Sequence, residues 1–256
     1  RREIAPRTFP DPELPRSPRL VEASGNVPQT AITIAYQMGG YTSPSYVKAD
    51  LISDILANGQ ASRFYRRLLM PGRYFSDVDA SILGTEHPGL LLINAKLLDR
   101  GADAEKAAIE AINKELAELV DTEVAPSELK RCVNRLESDR VFSMMNPLQK
   151  AQSLALAEIH GENIEDILPR YRAVTPASLR EAARDIIDPY RSMTLIYRPR
   201  CHIIPGLRFC SKKRFLRLHV GHIVWFRRWF HTLDAQEVMV KVILQPRECA
   251  LPYGRF

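Results

Sequence analysis

The chain has 256 residues, 45% of them hydrophobic, which is enough apolar material to build a core and excludes general disorder. Its net charge of +6 is concentrated at one end: Cys201 to Phe256 holds ten Lys and Arg against three acids, or +7, which leaves −1 for the first 200 residues. A near-neutral body argues against nucleic acid as its partner, and without an apolar run of roughly 18 residues no transmembrane segment is expected.

Five prolines (Pro6, Pro10, Pro12, Pro15, Pro18) make Arg1 to Arg19 an extended linker. The chain opens without Met, and this linker has no apolar stretch of the kind a secretory signal carries, so it reads as a processed or partial chain. From Gln29 to Met38 the pattern alternates and is β-branched, which predicts a strand. Ser43-Pro44 is a cap and first-turn pair for a helix through Leu51, Ile52 and Ile55, ending at Asn58-Gly59. A second short helix is expected over Gln60 to Met70, stopped by Pro71-Gly72. Tyr74 to Ser81 and Leu90 to Leu98 then form a strand pair turning through Gly84 to Gly89.

Asp103 is the expected cap of an amphipathic helix to about Val120, with Ile109, Ile112, Leu116 and Leu119 on one face. Pro126 opens a long helix through Cys132 and Phe142, broken near Asn146-Pro147 and resuming to His160. Thr175-Pro176 caps another helix to about Ile187, and Ser192 to Tyr197 closes as a strand. The order β, α, α, β, β, several helices, β predicts an α+β domain with helices packed on one face of a largely antiparallel sheet.

The chemistry is notable for what it lacks. No phosphate-cradling loop and no G-x-G-x-x-G occurs, and neither H-E-x-x-H nor its inverted form H-x-x-E-H is present. A catalytic zinc needs about three protein ligands, commonly two imidazoles and a carboxylate. His87 before Pro88-Gly89 and His160 before Gly161 have no partner His nearby, and both read as surface or capping residues. Glu110, Glu115, Glu118, Glu137 and Asp139 are expected on solvated helix faces, in i,i+4 pairs. Ser62 lacks the G-x-S-x-G elbow of a nucleophile, and Cys132 falls on an apolar stripe as a small core residue.

Composition changes abruptly at Arg200/Cys201. Three of the four Cys, both Trp and four of the six His lie beyond it. His219, His222, Cys201, Cys210 and Cys249 are too irregularly spaced for a metal site. Phe215 to Phe230 is basic and aromatic, a pattern also used at membrane surfaces and on single strands. The simpler expectation is three segments: a linker over 1–19, a domain over 20–200, and a tail over 201–256 that is not part of the fold.

Four stretches carry a resemblance. Lys48 to Leu69, KADLISDILANGQASRFYRRLL, resembles the helix, small-residue turn and S-R-L-[YF]-x-x-L segment of the insulinase/pitrilysin family of inverted zinc metallopeptidases, in its C-terminal, non-zinc type of domain. YFSDVDAS with HPGLLLINAKL is similar to that family's strand pair, and PSELKRCVNRLESDRVFSMMNPLQKAQSLALAEIHG to its long helix pair. YRAVTPASLREAARDIIDPYRSMTLIYRP is similar to its closing helix and strand.

The resemblance implies a metallopeptidase-homology-like domain that holds no cofactor itself and encloses peptide substrate. The zinc is then expected in an H-x-x-E-H domain or subunit across the chamber, and this chain alone is inactive. It also implies that Gly59 to Ser76 faces the chamber, with extended peptide bound by strand addition. Active members place an Arg and a Tyr seven residues apart after the S-R-L-[YF] segment. Aligned without a gap, those places fall on Leu69 and Ser76; Arg67 and Tyr74 have the spacing, offset by two. The candidate substrate-binding residues are therefore Arg67, Tyr74, Ser62 and Arg63. The alternative is a non-catalytic structural or assembly subunit, as in members that resemble respiratory-complex core subunits.

Overall fold

The structure, a computed structural model, describes residues 17–84, 86–98 and 101–200. Five strands form one sheet: β1 (Arg19–Gly25), β2 (Ala31–Met38), β3 (Phe75–Leu83), β4 (Gly89–Leu97) and β5 (Ser192–Pro199), in the order β1-β5-β2-β4-β3. β2 pairs antiparallel with both β4 and β5, and β3 antiparallel with β4; β1 lies parallel to β5 at one edge. The expected α+β class and largely antiparallel sheet are thus present. The sequence reading did not foresee β1. RLVEASG is exposed at four of its seven residues, with Leu20 61% exposed, so it offers little of the apolar alternation that marks a strand.

Six α-helices are described: α1 (Tyr46–Ala57), α2 (Ala102–Asp121), α3 (Pro126–Met145), α4 (Pro147–Ile159), α5 (Ile167–Arg172) and α6 (Pro176–Ile186). Their apolar sides meet one sheet face. Ile32, Ile34, Tyr36 and Met38 of β2 and Leu91, Ile93 and Leu97 of β4 join Leu51, Ile52 and Ile55 of α1, Ile112 and Leu116 of α2, and Leu179 of α6 in one core. Burying each such side chain contributes roughly 1.5–3 kcal/mol, and α1, with six of its twelve residues buried, anchors the layer. The middle of the other sheet face is apolar as well: Ala35, paired with Leu92 and Met193, is buried together with both of them.

Several expected details shift. α1 begins after Ser45, not at Ser43-Pro44, and α2 after Gly101, not Asp103; neither observed cap residue bonds its helix through a side chain. In place of a helix over Gln60 to Met70 there is a turn and then one π-helical turn, Tyr65–Leu69, closed by Met70 N–H donating to the Tyr65 carbonyl at 2.8 Å. α5 was not anticipated, because its six residues hold a proline and two arginines. Other signals are realised as read. Gly59 ends α1 at φ +84°, a backbone that suits glycine. Asn146 separates α3 from α4 and caps the latter, accepting from Leu148 N–H at 2.9 Å. Thr175 forms a full capping box with Ser178 at the start of α6.

Candidate functional site

The segment from Gly59 to Ser76 connects the buried helix α1 to the edge strand β3. Its turn is held from within by Ser62, whose hydroxyl donates to the Gly59 carbonyl at 2.7 Å and accepts from Tyr65 N–H at 3.4 Å. Ser62 is 1% exposed and bonds only backbone, so its place is that of a turn brace and not of a nucleophile. Arg63 is buried too. Its Nε and Nη2 donate side by side to the two carboxylate oxygens of Glu128 on α3, at 3.2 and 3.0 Å, a bidentate pair that fixes both planes. Arg131 adds a hydrogen bond from Nη2 to the Ala61 carbonyl at 3.3 Å. The turn is thereby bolted to the first two turns of α3, while Phe64 and Leu68 point into the core.

Arg67 lies on the outer side of the π-helical turn. Its Nη1 donates to Glu115 at 2.8 Å and Glu118 at 2.7 Å, both on α2. The two carboxylates, Glu118 first, hold the Arg67 guanidinium above its usual pKa, and Arg67 in turn holds the Glu118 carboxyl below the usual range. Tyr74 is half-buried, edge-on to Phe75 at 6.2 Å between ring centres, and its carbonyl accepts from Leu98 N–H. No described hydrogen bond or ring contact joins Arg67 to Tyr74. Leu69 is partly buried against the core, whereas Ser76 sits at an irregularity in the β3–β4 register and donates to Gln29 and to the Lys96 carbonyl. The structure therefore gathers Ser62, Arg63 and Arg67 into one braced segment, and Tyr74 follows at its end.

The helix carboxylates need a correction. Glu115 is buried, not solvated, and Glu115 and Glu118 pair with Arg67 from another element; Glu137 likewise pairs with Arg172 of α5. Of the five, Asp139 makes the expected i,i+4 contact, with Arg135 at 3.6 Å. His160 stacks on Tyr41 at 4.4 Å, and Cys132 is buried in the core, where burial pushes its thiol pKa up. The readings placed on residues 201–256 lie outside the described residues.

A second polar spot was not legible in the sequence. An open cleft of about 340 Å³ between α3 and α5 is lined by Leu136, Asp139, Arg140, Ser143, Ile167 and Tyr171. At its base the Tyr171 hydroxyl donates to Asp50 of α1 at 2.7 Å. Burial raises the Asp50 pKa, and this hydrogen bond opposes the rise. The pairing spans 121 residues of sequence, which no local pattern reports.

Residues 3–136 match the family model described as the peptidase M16 inactive domain. The chain belongs to that family. The match takes in α1, the braced turn, the β3–β4 pair, α2 and the first half of α3, and it bears out the insulinase/pitrilysin resemblance. None of the curated proteins matches the chain.

Among solved structures, a protease from Helicobacter pylori superposes with a TM-score of 0.71 at 16% identity, covering 78% of this chain and 48% of that one. The inactive peptidase domain of a candidate zinc protease from Bordetella parapertussis gives 0.58 at 22%, covering 66% and 92%. A chain of complex III2 from Candida albicans gives 0.57 at 12%, covering 70% and 45%. At these identities the likeness establishes the fold. The chain spans about half the length of the Helicobacter protein.

Zinc finds no fit in the described part of this M16 domain. No three His, Cys, Asp or Glu side chains come together as ligands among the described residues, and H-x-x-E-H is absent from the whole sequence. Among the described residues no helix is long and apolar enough to cross a membrane.

Proposed function

We propose that residues 20–200 form the non-catalytic wall of a peptide chamber. The catalytic zinc of that chamber belongs to an H-x-x-E-H partner, either another domain of the same protein or a separate subunit. The tail, residues 201–256, stands outside this fold. Membership of an inactive-domain peptidase family supports the reading, and one geometric observation carries it: among the described residues β3 is an edge strand paired with β4 alone, and the braced Gly59–Ser76 segment leads directly into it. An edge strand offers unpaired backbone groups to an extended peptide, and a rigid approach lowers the entropy lost on docking.

In this reading Ser62 and Arg63 keep the segment in shape without touching substrate, and Arg67 and Tyr74 are the side chains presented to it. Equilibrium binding of a fluorescein-labelled, unstructured casein-derived peptide to the full chain tests the idea. Micromolar binding that weakens in Arg67→Ala and Tyr74→Ala supports it. Absence of binding both alone and beside a zinc-bearing half contradicts it. For the boundary, limited proteolysis leaving a stable core that ends near residue 200 is expected; a core protected through Phe256 contradicts that part.

The second reading, a structural or assembly subunit, is favoured by the likeness to the complex III2 chain. Stable complexes with proteins lacking H-x-x-E-H, and no gain of peptidase activity with any zinc-bearing half, would decide for it.

A further inference from the structure

The α3–α4 hairpin is apolar where it meets water. α4 has thirteen residues, and Ala157 is the one among them that is buried. At 100° per residue the side of the helix opposite Ala157 carries Leu148, Ala155 and Ile159 along its middle beside Gln152, with Ala151 and Leu156 towards the flanks, while Leu154 falls on the Ala157 side. Leu148 is 66% exposed and Ile159 68%. The end of α3 continues the surface with Val141, Phe142 and Met145, of which Phe142 is 69% and Met145 74% exposed. Over this face the polar residues of α4 are Gln152 and Glu158. A helix that is apolar on its outer side is ordinarily a covered one.

The six large side chains of this face (Leu148, Leu156, Ile159, Val141, Phe142 and Met145) expose on the order of 700 Å², above the largest apolar patch of an ordinary monomer and close to one partner's share of a standard stable interface. We infer that this face is the contact between two copies of the chain, related by a two-fold axis, with the hairpins of both copies packed into a four-helix arrangement. The same patch on each copy is self-complementary, being largely apolar with Glu158 the one charge that α4 brings to it, as an isologous interface allows. Ala155 near its centre lets the two α4 helices approach closely. The inference is independent of the chamber reading. Along α3, Met145 lies seventeen residues from Glu128, roughly 25 Å, so a dimer built at the hairpin tip leaves the braced turn free.

Sedimentation velocity on the full chain from about 1 to 100 µM tests it, with Phe142→Glu and Leu148→Glu as interface variants and Leu20→Glu and Leu98→Glu as controls on other exposed leucines. All four positions are exposed, and circular dichroism verifies that the variants fold. The expected result is a dimer that the hairpin variants dissociate and the controls leave intact. Each substitution occurs twice in a two-fold dimer, so a hot-spot loss of roughly thirtyfold per side compounds to about a thousandfold in dissociation constant. A chain that stays monomeric at 100 µM, or a dimer indifferent to Phe142→Glu and Leu148→Glu, overturns the inference and assigns the face to the tail or to a different protein.

Discussion

Glu128→Gln perturbs the most consequential contact of the braced turn. Arg63 and Glu128 have side chains only 10% and 17% exposed, and Nη1 of Arg63 is already buried without a partner. Removing the carboxylate charge leaves a buried guanidinium with a weakened partner on one side and none on the other. Breaking a buried pair in this way costs about 3–5 kcal/mol. Taking about 3 kcal/mol, as the substituted amide retains one acceptor, the unfolding constant rises roughly a hundredfold, and the melting temperature falls by about 6–12 °C for a domain of this size. Arg63→Met leaves the lone carboxylate nearer to water and is expected to cost somewhat less. The double variant Arg63→Met/Glu128→Leu, apolar on both sides, is expected to recover most of the loss, because neither charge is then stranded. Urea unfolding of these proteins, with Glu128→Leu added so that the cycle closes, gives the coupling energy. If both single variants lie within about 0.5 kcal/mol of the parent, the argument that this ion pair bolts the turn to α3 is refuted.

Arg67 is 45% exposed and its pairing with Glu118 is screened, but Arg67→Ala also strands the Glu115 carboxylate, whose side chain is 9% exposed, so a loss of about 1–3 kcal/mol is expected in urea unfolding; a loss under about 0.5 kcal/mol contradicts the pairing. For Asp50 the sign follows from its raised pKa. The folded chain holds this proton more tightly than the unfolded one, so the stability contributed is greatest at acid pH and is lost as pH rises through the raised value. Asp50→Asn keeps an acceptor for Tyr171, and the variant should gain on the parent as pH rises from about 4 to 7; a constant difference across that range counts against the account. Glu118 has the opposite sign: its lowered pKa gives stability that is lost as pH falls through its folded value, and Glu118→Gln should blunt that acid-side loss. Thr175→Ala, which removes the capping box of α6, is expected to cost about 1 kcal/mol. A chelator such as EDTA is expected to leave the melting temperature of the chain unchanged, and a clear fall would reveal a metal the described residues give no reason to expect.

The fold was legible wherever a local pattern coincided with a tertiary demand. β2, β4 and the stripe of α2 announced themselves because one-sided burial imposes a period of two or 3.6 on the sequence. Gly59, Asn146 and Thr175 marked ends because each satisfies a backbone need at its own position. β1 escaped because its partner, β5, lies about 170 residues away and four of its own seven residues stay exposed. α5 was too short to show a period. The π-helical turn escaped for a different reason: helical spacing was present, but Phe64 and Leu68 are drawn into the core by tertiary packing while Ser62 holds the start of the turn. At the site, residue types and spacing singled out Ser62, Arg63, Arg67 and Tyr74, yet Glu128, Glu115 and Glu118 were invisible as partners. The pairs are joined across 48 to 65 residues, and acidic residues on a helix carry no mark of which arginine will reach them.

The central claim, a wall without its own zinc that acts with a zinc-bearing partner, is tested most directly by reconstitution. The H-x-x-E-H domain or subunit that accompanies this chain is purified with zinc and assayed on an unstructured fluorogenic peptide, alone and with the chain added at equal concentration. The account predicts no cleavage by this chain alone and cleavage that rises steeply when the two are combined. Stoichiometric zinc and peptidase activity in this chain by itself, or a partner whose activity is unchanged by its addition, would contradict it.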